Sequence, residues 1–460
     1  MDVNAEVIVI GAGLAGLTTA MLLNDNGIGV LVLEAKGRVG GRLKTQLIAG
    51  TEVDAGGSWI GPPQHGVIAL AEQLGLSTFP QHHDGNHLLV VDGRPMPFTS
   101  DTPPLGWFAA ADLAQATWRL DRAAHRLCGP APWSHPDAER FDRQTLGAWM
   151  HRHTKTRGAR FVLELITATS FGCHPDELSL LGFLVHVASA DGLGNLTGVK
   201  GAALDRHIVG GAAALCDELA ANLGARVRCD TPVRLIEQAD SGLRIVGEDV
   251  EFTCQHGVLA VDPAMAGAIE HRPALPPRRA TLQRTFAMGS GTKVHIGYAE
   301  PFWRRDGLSG LSYADSGLIP VTFDVGQPAG PGILMTFLDH AAWESTGLLD
   351  GPPECRRDAV AAELAERFGE QARQPVDYVE QDWSTEPYQA GCVPRPSPGV
   401  ITAARDAFTR PVGNLHFAGA ESTHVWEGHM DGAVASAHRV VGELTGWLPA
   451  GGNAPMAPAR

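Results

Sequence analysis

No two cysteines in this chain stand two residues apart. The seven are odd in number and scattered over 460 residues, which argues against a disulfide framework or a zinc site and fits reduced thiols. No apolar run approaches the roughly 18 residues that cross a bilayer; LLGFLVHVA and FVLELI have the length of core segments. The opening MDVNAEVIVIGAGLAG lacks a basic stretch before its apolar one, so no secretory leader is expected. Basic residues are scarce, 36 Lys and Arg against 51 Asp and Glu for a formal net charge of -15, a balance that repels nucleic acid and anionic lipid. There is no internal repeat, and only the small, polar end of the chain, residues 448–460, reads as a flexible tail. A soluble cytoplasmic protein without nucleic-acid or membrane partners is expected.

What is present is ordinary in bulk, 44% hydrophobic and 19% charged, and long enough for two domains with separate cores. The most informative stretch is EVIVIGAGLAGLTTAMLLNDNGIGVLVLEA. Glu6 to Ile10 is a short apolar run of the parallel-strand type, Leu14 to Leu23 follows helical spacing, Gly27 and Gly29 break the helix, and Val30 to Leu33 form a second strand ending at Glu34. Gly11, Gly13 and Gly16 stand between strand and helix in the spacing G-x-G-x-x-G. The first allows a tight turn, the second lets backbone approach a pyrophosphate, and the third lets helix pack on strand. Leu14 and Ala15 open the helix whose exposed N–H groups would face the phosphates. Glu34 is placed to accept from a ribose diol, and Ala35 follows it. This βαβ unit predicts dinucleotide binding.

GRVGGR, directly after the acid, is a second glycine turn; Gly41 lets the chain pass near the ligand again and Arg42 can pair with pyrophosphate. In VDAGGSWIGPPQ, Gly56 and Gly57 offer unobstructed N–H groups, Ser58 follows, and Trp59 can wall a flat ring. Between this region and about Asn195 the chain reads as helical and irregular. RVRCDTPVRLIEQ, LRIVGE and VEFTCQHGVLAV read as strands, as do KVHIGY, GILMTFLD and PVDYVEQDW; PPECRRDAVAAELAERFG reads as an amphipathic helix. The end, from NLHFAGAES onward, reads as strand, turn, loop and long helix.

These motifs, with IVGGAAALCDELAANLGARVRCDTPVRLIEQ, GSGTKVHIGYAEPFW and HFAGAESTHVWEGHMDGAVASAHRVVGEL, resemble the flavin-containing monoamine oxidase family over about 440 residues. The resemblance implies an α/β fold: a Rossmann-like FAD-binding domain (1–77, 207–285 and 391–447) and an α+β substrate-binding domain (78–206 and 286–390), each built from discontinuous segments. It implies FAD, a small-molecule amine and O2 as partners, H2O2 as a product, and a homodimer. The flavin carries the redox chemistry and the protein supplies position and electrostatics, so neither a Ser-His-Asp triad nor a metal cluster is required.

Residue by residue, the resemblance places Val233 beside the adenine, Trp383 beside the flavin, and Gly419 and Glu421 near its ribityl or pyrophosphate part. Met430 and Ala433 lie in the helix whose positive end faces the flavin. Lys293 is the family's buried lysine, which holds a water at the flavin; a desolvated ammonium has a lowered pKa. Cys392, in the loop-like YQAGCVPRPSPG, stands where some members bond the flavin through a thioether. Non-covalent FAD in contact with Cys392 is the expectation, with the thioether as the alternative. Two tyrosines that form an aromatic cage in those members are replaced by Val393 and His429, and one residue in HVWEGH is extra, so His429 becomes a candidate for substrate recognition. His82, His83 and His87 read as a loop cluster rather than a metal site, and His151 and His153 as solvent-facing. Other readings are an L-amino acid oxidase, a secondary amine or amide oxidase, a flavin C–C desaturase and a non-catalytic FAD scaffold.

Overall fold

A computed structural model describes residues 3–100, 102–289, 291–338, 340–348 and 351–446; the tail lies outside them. The opening run forms the strand Val3–Ile10, with Val30–Leu33 parallel beside it and the helix Leu14–Asp25 between. Val227–Arg228 extends this sheet on one side and Glu251–Leu259 on the other, all parallel. The long strand Glu251–Leu259 serves two neighbours. Its first half pairs antiparallel with Gly242–Val246, and its second half pairs parallel with Leu415–Phe417. Three stretches far apart in sequence therefore share one sheet. The helices Leu14–Asp25, Ala214–Leu223 and Met430–Thr445 pack together over it around Leu17, Ala20, Leu215 and Val440. The carboxyl ends of the parallel strands open into a single crevice, where ligands of such sheets bind.

A second sheet has seven strands in the order Asp377–Asp382, Thr292–Tyr298, Gly332–Phe337, Val321–Asp324, Leu308–Ala314, Asn86–Val91 and Arg94–Phe98. The helices Trp107–His125, Arg157–Phe171 and Leu180–Ser189 form their own core nearby. A small three-stranded sheet, Trp59–Ile60, Arg206–Ile208 and Thr78–Pro80, joins segments from both parts of the chain. Thr292–Tyr298 is buried along its whole length. Val294, Ile296 and Tyr298 pack toward the helix Pro353–Phe368, and Gly297 lies against Ile48 and Ala49 of the hairpin Thr45–Ile48/Thr51–Asp54. Lys293 is thus enclosed on a strand with no solvent face.

Several elements differ from expectation. The strand that follows HHDGNH, Asn86–Val91, has a partner, Arg94–Phe98, in the stretch up to Asn195 otherwise expected to be helical and irregular. The second holds Pro95 and Pro97, which a strand tolerates here because it forms the exposed edge of the sheet. RVRCDTPVRLIEQ splits into Val227–Arg228 and Leu235–Ala239, which stand on opposite sides of the first strand; the chain crosses between them through Asp230, at φ +50°, and Pro232. YQAGCVPRPSPG is a loop interrupted by the two-residue strand Val393–Pro394, paired with Met288–Gly289.

The helix–strand contact at the first glycines is as tight as their spacing implies. A Cβ on Gly16 would lie 2.0 Å from the Gly11 carbonyl oxygen and 3.1 Å from Ala260. Gly16→Val is expected to lose about 1–3 kcal/mol of stability through overpacking and to purify without its flavin, which a denaturant titration and a visible spectrum check.

Candidate functional site

One cavity of about 700 Å³ runs from the carboxyl ends of the first sheet to the face of the second. Gly11, Gly13, Leu14, Ala15, Glu34, Ala35, Gly41, Arg42, Gly56, Gly57, Ser58, Trp59, Val233, Lys293, Trp383, Cys392, Gly419, Glu421, His429, Met430 and Ala433 all line it. Gly16 does not; it sits behind the wall at the helix–strand crossing.

The nucleotide end fits a dinucleotide by its own geometry. The helix Leu14–Asp25 starts at Gly13 with no side-chain cap and no acid in its first turn, so its first N–H groups are available to phosphate oxygens. Gly40 and Gly41 have φ of +103° and +57°, values that favour glycine, and Gly40 bridges to Gly13. The two glycine turns therefore lie side by side. The Glu34 carboxylate is fixed by the N–H groups of Ala12 at 2.7 Å and Lys36 at 3.0 Å, each oxygen keeping capacity for a hydroxyl donor. Arg42 is paired with Glu421 at 2.5 Å.

Beyond this end the walls change character. Leu165, Ile166, Val199, Tyr313, Phe323 and Phe337 line the far half. Between the halves stands Lys293, 5% exposed. Its Nζ donates to the Asp54 carbonyl at 3.0 Å, the Gly56 carbonyl at 2.7 Å and Ser58 Oγ at 2.5 Å. Burial drives its pKa below the ordinary lysine value, while Asp54 and Cys392 act in the opposite sense. Burial likewise pushes Asp54 up, against the pull of Lys293 and the Ala212 N–H at 2.6 Å. Trp383 is fully enclosed, with its indole N–H on the Ala55 carbonyl and its ring against Gly56.

Cys392 donates its backbone N–H to Gly289. Gly391 before it has φ +146°, and a Cβ there would meet the Gly289 carbonyl at 2.6 Å, so the thiol is placed by a turn that needs glycine. Burial raises the thiol pKa, with Lys293 and Arg42 opposing. His429 caps the helix Met430–Thr445 after a turn in which Trp426 and Gly428 take φ of +47° and +77°. Its Nδ1 lies 2.9 Å from the Glu427 carbonyl, so Nδ1 carries the proton and Nε2 is an acceptor. Burial lowers its pKa and that of His186, which stacks on it at 5.2 Å.

Sequence reasoning missed His186, Asp54, His207 and Gln81. Nothing in the stretch around His207 reveals its partners. Of the histidines expected in a loop, His87 instead lies in the strand Asn86–Val91, where its Nδ1 meets Ser309 Oγ at 2.6 Å and the His83 ring lies tilted against it at 4.3 Å. His151 is exposed, but His153 is not solvent-facing as expected; it stacks on Trp149 one turn earlier at 4.5 Å.

The GRVGGR turn is anchored from outside by Glu386, which accepts from Arg38 at 2.8 Å, Lys36 at 2.9 Å and Lys44 at 3.2 Å. Burial opposes its charge, but Arg38, Lys36 and Lys44 hold its pKa down to about 2. Because the folded value lies below the unfolded one, this contribution is complete above about pH 4.5 and fades as pH falls toward 2. Glu386→Gln is expected to be less stable than the wild type at about pH 7 and equal to it near pH 2, as read by urea titration at both.

Comparison with known proteins agrees with this geometry. The family model for flavin containing amine oxidoreductase matches residues 14–445. A Mycobacterium tuberculosis chain with the provisional name flavin-containing monoamine oxidase AofH is 36% identical over 448 residues, covering 96% of this chain and 97% of its own length. Amine oxidase [flavin-containing] A of Sus scrofa is 32% identical over 451 residues, 95% of this chain and 84% of that one. Among solved structures, putrescine oxidase bound to putrescine superposes with a TM-score of 0.92 at 28% identity, covering 97% of this chain and all of that one. Cyclohexylamine oxidase from Brevibacterium oxydans IH-35A superposes with a TM-score of 0.90 at 30% identity, covering 96% and 99%. This chain belongs to the flavin-containing amine oxidoreductases, and its chemistry is FAD-dependent amine oxidation.

Proposed function

We propose that this enzyme oxidises a small amine bearing one apolar substituent and passes the electrons to O2. The product is an imine, which hydrolyses to a carbonyl compound, with H2O2 as the second product. The observation that carries the substrate reading is the far half of the cavity. Among the described lining residues the cations are Arg42, Arg234 and Lys293. Arg42 is paired with Glu421 and Arg234 with Glu248, and Lys293 is spent on three oxygens of the 54–58 turn. No arginine or lysine stands among Leu165, Ile166, Tyr313 and Phe323 to take a substrate carboxylate. That favours an amine over an amino acid.

FAD supplies the two-electron acceptor when bound. The residues that would hold it are Gly11, Gly13 and the first turn of Leu14–Asp25 at the pyrophosphate, Glu34 at the ribose and Val233 at the adenine. Trp383, Cys392 and Met430 would hold it at the ring end. The raised thiol pKa of Cys392 supports contact without a bond, since the thiolate is the reactive form. Lys293 holds positive charge in a site shut off from water, where it acts on developing negative charge more strongly than in solvent. The neutral His429 presents an acceptor to the amine N–H without repelling it.

The domain division also belongs to this reading: 1–77, 207–285 and 391–447 bind FAD, while 78–206 and 286–390 form the amine side. The sheet shared by Val3–Ile10, Glu251–Leu259 and Leu415–Phe417 supports it. Seven free thiols support a reducing, cytoplasmic setting.

The test is anaerobic addition of benzylamine, putrescine and an L-amino acid to the purified yellow protein. Benzylamine is expected to bleach the flavin band, and the amino acid to leave it unchanged. Preference for the amino acid would overturn the substrate reading. Lys293→Met is expected to keep the flavin band and lose on the order of 10²-fold in turnover with oxygen; an unchanged rate removes Lys293 from the mechanism.

A further inference from the structure

Behind the cavity wall, the side-chain amide of Gln81 has every hydrogen-bonding position filled. Its Oε1 accepts from Trp59 Nε1 at 2.8 Å and meets His207 Nε2 at 2.8 Å; its Nε2 donates to the His82 carbonyl at 2.9 Å and the Asp324 carbonyl at 2.7 Å. The orientation of the amide is fixed by chemistry. An indole N–H can only donate, so the atom facing Trp59 is the oxygen, and the two carbonyls on the other side require the NH2 group. His207 must then carry its proton on Nε2. Its Nδ1 is left as a bare acceptor 4.0 Å from an Asp54 carboxylate oxygen. Burial, with Lys293 adding to it, lowers the imidazole pKa to about 3, so the ring is neutral.

Gln81, 6% exposed, does not line the cavity; Trp59 does. The indole lies edge-on to Phe323 at 5.1 Å, with Lys293 Nζ 5.3 Å from its centroid. Trp59 packs against the cluster of Leu311, Val321, Phe323 and Met335, as do Leu165, Tyr313 and Phe337 of the far half. Trp59 comes from a strand of only two residues, so its backbone alone gives it little restraint. The bond to Gln81 ties its polar edge to the second sheet through Asp324 and to the segment at Arg206–Ile208 through His207.

We propose that Gln81 is a positioning residue for amine recognition. By holding the Trp59 indole against Phe323 it fixes the flat wall that sorts amines by the shape of their apolar substituent. This rests on the reading that the far half of the cavity takes the amine. A fully satisfied buried amide is stiff: one of its four bonds holds the indole edge, and the other three fix the amide that holds it.

The test compares Gln81→Met, Trp59→Phe and the double variant by anaerobic titration, reading the dissociation constants of benzylamine and propylamine from the flavin spectrum. Gln81→Met is expected to weaken benzylamine about tenfold more than propylamine, with a smaller change in the limiting rate of flavin reduction. In the Trp59→Phe background the same change is expected to have no further effect on selectivity, because the two residues act as one unit. Gln81→Glu keeps the oxygen facing Trp59 and His207 but, even when protonated, has one donor for the His82 and Asp324 carbonyls, so it is expected to retain only part of the selectivity; an unchanged flavin band in each variant separates positioning from loss of folding. Additive effects in the double variant, or equal weakening of both amines, would overturn the proposal. Should no amine bleach the wild-type flavin, the proposed function fails and this inference with it; bleaching by benzylamine with selectivity unmoved in Gln81→Met sinks the inference alone.

Discussion

A lysine ammonium inside a protein needs oxygens on every side, and the fold around Lys293 is organised to supply them. The idealised cost of removing such an ion from water is on the order of 20 kcal/mol, and several kcal/mol remain after relaxation. Here three acceptors, the Asp54 and Gly56 carbonyls and Ser58 Oγ, match its three protons. All three belong to one turn of the nucleotide half, while Lys293 belongs to a central strand of the other sheet. The ion therefore fastens the two halves together at the place where cofactor and substrate would meet. It also explains why glycine occupies position 56. A Cβ there would lie 2.0 Å from the Arg42 carbonyl and 2.9 Å from Trp383, forcing the turn, and its carbonyl, away from the ammonium.

Polarity along the cavity follows from which elements face it. The nucleotide half is walled by strand ends and helix starts, the places where backbone N–H groups are left without partners. The far half is walled by side chains from a sheet face and from helix flanks, which turn Leu165, Ile166, Phe323 and Phe337 inward. In the proposed reading the same division would sort a charged cofactor tail from an apolar substrate. Glu386 adds a further constraint from outside. It gathers Lys36, Arg38 and Lys44, so the basic residues around the second glycine turn are committed before any anion arrives, and Arg42 is left facing inward on Glu421.

Much of the nucleotide half was legible in the sequence, because its chemistry depends on local backbone. Gly11, Gly13, Gly16 and Glu34 act through φ angles, close approach and a strand end, all of which leave marks in a short window. The edge strand with Pro95 and Pro97 was not legible, since its pairing is decided by an exposed position in a sheet assembled from distant segments. The same holds for Gln81, His207 and Asp54. Each looks ordinary in sequence, and only the three-stranded junction brings Trp59 opposite His207 and places Gln81 between them. His153 was misjudged for a local reason: its stacking on Trp149 at i−4 competes with solvent.

The departure at Val393 and His429 fits the rest of the site. An aromatic cage presents two electron-rich faces to an amine. Here one face becomes an aliphatic side chain, and the other becomes an imidazole whose single proton is held by the Glu427 carbonyl. Stacking the buried His186 against the half-buried His429 sets two imidazoles 5.2 Å apart, where protonation of either would repel the other. Burial lowers the pKa of both, and His429 lowers that of His186 further. A neutral acceptor attracts an N–H through direction, where a ring face attracts charge more diffusely. In the proposed reading the site would trade breadth for orientation at the amine, and leave discrimination among substituents to the apolar wall built on Trp59 and Phe323.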